Sequence, residues 1–167
     1  MKNMLILYYS WSNGNTQKIA EQMQQATGAD IARIDTKTPY TGSYQEVVAQ
    51  GQDEVQRGYE PPIKDLEVCA ADYEVVAIGT PTWWYTMAPA VKTCIHQQQW
   101  QEKQVIPFMT NGGWPGHVIA DMKKACQGAS IIYPMEIRFD ATGGSRQETP
   151  QQEVDAWLEK IRQFVEA

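Results

Sequence analysis

The residues best suited to chemistry in this 167-residue chain fall in three short loops. The first is Ser10-Trp11-Ser12-Asn13-Gly14-Asn15-Thr16, between an apolar run and a helical pattern. It offers hydroxyls on Ser10, Ser12 and Thr16, an amide on Asn15, and a run of backbone N–H groups where a helix should begin. Such a loop suits a phosphate held at a helix N-terminus, with the helix dipole rather than Lys or Arg supporting the charge. The same residues also suit an N-cap followed by an ordinary turn. The second loop, Gly79-Thr80-Pro81-Thr82-Trp83-Trp84-Tyr85, carries three consecutive large aromatics. One packs in the core, but all three together are hard to bury, so at least one is expected to wall a site for a flat ring. The third, Thr110-Asn111-Gly112-Gly113-Trp114, has a glycine pair. Such a pair lets the backbone approach a ligand and aim N–H groups at ring carbonyls, or makes a tight turn before Pro115.

Motifs that the chain lacks narrow the choice. There is no GxxxxGK[ST] and no GxGxxG, so neither a triphosphate P-loop nor a dinucleotide fingerprint is present. No Cys is followed six residues later by Arg, and the end of the first apolar run holds Tyr8, Tyr9 and Ser10 instead of a carboxylate. The net charge of −6 and pI near 4.9 argue against nucleic acid, which needs a basic stripe. No apolar run approaches the ~20 residues of a membrane span. Cys69, Cys94 and Cys126 are odd in number and widely spaced, which reads as reduced thiols in a cytoplasm. His96 and His117 have no ligand-spaced partner, and neither reads as a metal ligand or general base.

The elements that must position these loops alternate as βαβ units do. Met4–Tyr9 is a doubly buried strand, and Thr16, Ile19, Ala20 and Met23 give a helix stopped by Gly28. Ala29–Ile34 is a weaker strand. Tyr73–Gly79, Gln104–Thr110 and Ile131–Phe139 are the later strands, although Pro107 is awkward inside a sheet. Pro89 and Pro115 open helices, and Thr149-Pro-Gln-Gln152 caps the last one, with Val154, Trp157, Leu158, Ile161 and Val165 facing the core. Residues 36–64 are too long for a simple connection. Ser43-Tyr-Gln-Glu46 has the capping-box pattern there, and Tyr44, Val47, Val48, Gly51 and Val55 form one stripe, so an inserted helix is expected. The result is an α/β, three-layer, doubly wound fold with a five-stranded parallel sheet, read as a single domain over residues 1–167. Ligands in such sheets bind beyond the carboxyl ends of the strands.

Taken in order, the three loops resemble those of the flavodoxin-like family across almost the whole chain. Ser10-x-Ser12-Asn13-Gly14-Asn15-Thr16 resembles its monophosphate loop, Pro81-Thr82-Trp83-Trp84 its aromatic flavin loop, and Thr110-Asn111-Gly112-Gly113 the loop at the pyrimidine edge of the ring. The resemblance implies strand order 2-1-3-4-5 and a non-covalent FMN held by Ser10, Ser12, Asn13, Gly14, Asn15, Thr16, Thr80, Pro81, Thr82, Trp83, Trp84, Asn111, Gly112 and Gly113. It implies low-potential electron transfer between redox partner proteins. The alternative is an FMN-dependent NAD(P)H oxidoreductase acting on quinones or similar small acceptors. The insertion at 36–64 departs from the minimal family pattern. It begins at the ligand edge, where Tyr59 either borders the cofactor or is purely structural.

Overall fold

A computed structural model describes all residues, 1–167. The strand β1 (Met4–Tyr8) is buried on both faces, and its side chains alternate between two cores. Leu5 and Leu7 enter one, with α3 (Pro89–His96) and α4 (Val118–Ala125). Ile6 and Tyr8 enter the other, with α1 (Asn15–Thr27) and α5 (Gln151–Glu166). This period-two division across a parallel sheet produces the three layers. Around β1 run β2 (Asp30–Arg33) on one side and β3 (Val75–Trp83) on the other, followed by β5 (Gln104–Asn111). The far edge consists of β6 (Ser130–Ile131) and β7 (Met135–Arg138), both parallel to β5. With that split edge counted as one strand and only the parallel strands numbered, the order is the expected 2-1-3-4-5.

The split has a cause in Pro107. Val105 accepts the Ile132 N–H at 2.9 Å, so in a parallel ladder the residue two positions on also faces the edge strand. That residue is Pro107, which has no N–H to donate. The edge strand breaks over 132–134, where Pro134 likewise lacks an N–H and Tyr133 adopts φ 48°. Its carbonyl is taken instead by the Trp157 indole N–H at 2.7 Å.

Three expected boundaries move. Strand β3 continues past Gly79 to Trp83 and turns back as β4 (Thr86–Met87), making a hairpin where a loop was expected. Helix α4 starts at Val118, because Gly116 has φ 57° and cannot lie in a right-handed turn. No side chain caps α5. The Thr149 hydroxyl accepts the Arg138 N–H instead, and Pro150 takes the cap position. The inserted helix α2 (Tyr44–Arg57) forms as expected, with the Ser43 hydroxyl accepting the Glu46 N–H at 3.2 Å. Its buried face is Val47, Gly51 and Glu54, while Tyr44 stays exposed.

Candidate functional site

Loop one leaves β1 and turns into α1 through two left-handed residues, Ser12 (φ 67°) and Gly14 (φ 73°). The N–H groups of Ser12, Asn13 and Gly14 find no acceptor in the protein, and those of Asn15 and Thr16 open the helix with no carbonyl behind them. Five consecutive donors are thus available at a dipole's positive end. Ser10 is buried and turns inward, its hydroxyl accepting the Gln17 N–H. The Thr16 hydroxyl lies 2.8 Å from that of Thr110, which ties loop one to β5. Arg33, arriving from β2, donates to the Ser10 carbonyl at 2.7 Å and to Gln17, and pairs with Asp35. A cation therefore backs the loop, which the loop's own composition does not reveal.

Loop two is built on the β3–β4 hairpin. Its two-residue tip is Trp84-Tyr85, with φ 50° and 71°, the signs of a type I′ turn that Asn or Gly normally fills. Neighbours hold this strained tip from two sides. The Trp84 indole donates to the Val48 carbonyl of α2 at 2.9 Å, and the Tyr85 carbonyl accepts the His117 N–H at 2.8 Å. Beneath it, a Cβ on Gly116 would lie 2.2 Å from the Tyr85 oxygen, so only glycine fits. Trp83 is wedged edge-on against Tyr9, Trp11 and Tyr40, with Gly51 of α2 so close that a Cβ there would sit 3.0 Å from the indole. Thr80 is fully buried and accepts the Ala88 N–H, closing the base of the hairpin.

In loop three the Gly113 N–H is taken by the Asn111 side-chain oxygen at 2.7 Å, so this glycine serves its own turn. A fourth loop, Asp140–Gly144 after β7, closes the site. The Asn13 amide donates to the Gly143 carbonyl and the Asn15 amide to that of Gly144 at 3.1 Å. Asp140 accepts both the N–H and the hydroxyl of Thr142. Those bonds, helped by Arg146, hold its carboxyl below the ordinary aspartate range.

The four loops and α2 enclose a cleft of about 380 Å³. Of the fourteen residues picked from the sequence, Ser12, Asn13, Asn15, Thr16, Pro81, Thr82, Trp83, Trp84, Asn111 and Gly112 line it. Ser10 and Thr80 are buried behind it, and Gly14 and Gly113 do not line it. Sequence reasoning missed Trp11 and Tyr44, whose rings stack at 5.8 Å and 25°, the α2 residues Val47, Val48 and Gly51, and the fourth loop. A Gly-Gly pair just after the last strand was the overlooked signal for that loop. Tyr59 lies elsewhere, beneath Arg57 in a second cleft with His96 and His117. His96 bonds Glu60 and His117 bonds Asp121. No Lys or Arg lines the first cleft, and Asp140 is its one charged residue.

No helix is long and apolar enough to cross a membrane. Among solved structures the chain is similar to a Lactobacillus acidophilus flavoprotein in complex with FMN (24% identity, 94% of this chain and 99% of that one, TM-score 0.71). It is also similar to a Bacteroides eggerthii protein provisionally described as a flavoprotein (26%, 96% and 98%, TM-score 0.75). A flavodoxin from the domain Archaea shares 18% identity over 98% and 99% of the two chains, at TM-score 0.57. No curated protein sequence matches. The family model for flavodoxin matches residues 3–161, nearly the whole chain, so this protein belongs to the flavodoxin family.

Proposed function

We propose that residues 1–167 form one FMN-holding domain that carries electrons at low potential between protein partners. The observation that carries this reading is the row of five backbone donors from Ser12 to Thr16, pointing to an anion where no lysine or arginine lines the cleft. Ser12, Asn13, Asn15 and Thr16 would hold the phosphate. Trp83 and Trp84, with Tyr44 of α2, would wall the ring, and Asn111 and Gly112 would meet its polar edge. The cleft is about the size that a mononucleotide needs. Bound there, FMN would supply one- and two-electron redox chemistry, while the protein sets its exposure and potential. Asp140 in the cleft and a net charge of −6 disfavour adding negative charge to the ring, which lowers the potential. Three free thiols fit a reducing compartment such as the cytoplasm.

The lining favours a carrier over an NAD(P)H oxidoreductase acting on quinones or similar small acceptors. A dinucleotide donor must place its carbon ~3–3.5 Å from the flavin and anchor its pyrophosphate, and the cleft offers no cation for that anchor. Anaerobic stopped-flow mixing with millimolar NAD(P)H should bleach the flavin slowly, while a flavin-bearing reductase protein should reduce it quickly, at a rate that falls with salt. Bleaching by NAD(P)H within about a second would favour the oxidoreductase, on the usual scale of turnover.

A further inference from the structure

We propose that Trp83, Tyr40 and Glu54 form a relay that drains a one-electron oxidising equivalent out of the cleft, with Glu54 receiving the phenolic proton. The relay rests on the flavin reading for its source of oxidant, and on geometry for its path.

Trp83 lines the cleft, and its ring centroid lies 5.0 Å from that of Tyr40, the shortest of its three aromatic contacts. The Tyr40 hydroxyl donates to Glu54 Oε1 at 2.7 Å, and Gln50 donates to the other carboxyl oxygen at 3.0 Å. Glu54 is 4% exposed and has no cation within salt-bridge distance. Both carboxyl oxygens thus accept from neutral donors, and Oε1 faces the phenolic proton directly. Glu54 also borders the second cleft, which gives such a proton a way to water. Burial first, and then the Glu54 carboxylate, push the Tyr40 phenol up, so the ground state holds its proton. Tyr9 supplies the contrast. It sits 5.8 Å from Trp83, but its hydroxyl has no hydrogen-bond partner to take a proton.

In the step, a one-electron oxidant in the cleft, such as a photoexcited isoalloxazine, removes an electron from the Trp83 indole. The Tyr40 O–H bond breaks, its electron returns Trp83 to the neutral indole, and its proton forms an O–H bond on Glu54 Oε1. The sum is Tyr40 short of one electron and one proton, Glu54 protonated and the oxidant reduced by one electron.

Pulse radiolysis of the ligand-free protein tests the path without a flavin, with azide radicals as the oxidant. Indolyl-radical absorption should give way to tyrosyl-radical absorption in the wild type and in Tyr9→Phe, but not in Tyr40→Phe. Glu54→Gln should slow the transfer by roughly ten-fold, the rate equivalent of one charge-assisted hydrogen bond. A tyrosyl signal that survives Tyr40→Phe, or a rate untouched by Glu54→Gln, would overturn the relay. Illumination of the FMN-loaded protein should produce the same tyrosyl signal. Its absence there, with transfer intact in the ligand-free protein, would overturn the placement of flavin beside Trp83 and leave the path standing.

Discussion

Removing the Thr16 hydroxyl is the sharpest probe of the phosphate reading. A threonine hydroxyl has one proton and two acceptor positions. Thr110 sits 2.8 Å away and can donate to Thr16, which leaves the Thr16 proton for a phosphate oxygen. A hydrogen bond to a charged group is worth ~1.5–3 kcal/mol, so Thr16→Ala should weaken FMN by roughly 10- to 140-fold. Riboflavin lacks the phosphate, and its affinity should hold. Thr110→Val keeps nearly the same shape and removes only the donor behind Thr16, so FMN affinity should stay close to wild type. Titration of each of the three ligand-free proteins with both flavins, followed by fluorescence quenching, gives the six constants needed. Equal losses for FMN and riboflavin, or a Thr110→Val variant as weak as Thr16→Ala, would refute this assignment of the hydroxyl.

Trp83→Ala should cost about 2–3 kcal/mol in urea unfolding, below the cost for a fully buried Trp because the residue is half-exposed, whereas Trp84→Ala should cost about 1 kcal/mol for its single indole bond. Trp84→Ala should instead show its effect as changed fluorescence of the bound flavin; identical unfolding midpoints for the two variants would contradict the wedge described for Trp83. Gly116→Ala should destabilise by about 1–3 kcal/mol, because its Cβ collides with a backbone oxygen at a left-handed position; an unchanged melting temperature would count against the close approach. Asp140 titrates below its unfolded range, so its contribution is complete above that range and fades as pH falls through the lowered folded value. Stability to urea should therefore fall at acid pH in the wild type more steeply than in Asp140→Asn, and parallel curves would exclude Asp140 as the cause.

The five strands and the inserted helix could be read from the sequence because periodicity and helix signals were local and consistent, and the ten cleft-lining residues because the three loops resemble a family pattern. The hairpin could not. Its tip is Trp84-Tyr85, with no Gly, Asn or Asp to announce a turn, and contacts with Val48 and His117, distant in sequence, supply the compensation. Gly113 was chosen for freedom to approach a ligand, yet it gives its N–H to Asn111, and Gly14, which the resemblance placed in the phosphate loop, serves to turn the chain. Arg33 escaped notice because it reaches loop one across the sheet, seventeen residues beyond Thr16 in the chain. Loop composition cannot reveal a partner supplied by tertiary packing.

The interrupted edge opposite Pro107 also bears on how the chain behaves in a crowd. An uninterrupted outer strand would present a row of free backbone groups to any neighbouring copy and so template association. Here that border is two short pieces, β6 and β7, parted by Ile132-Tyr133-Pro134, and β7 places Glu136 and Arg138 on its exposed side. The opposite border, β2, has only four residues, with exposed charges at both ends, Asp30 and Arg33. Prolines that weaken the sheet from within thus shield it from without. Pro107→Val would restore one missing donor, but Pro134 in the gap would still lack its own N–H, so the outer border should stay interrupted and gain no smooth edge for a second molecule.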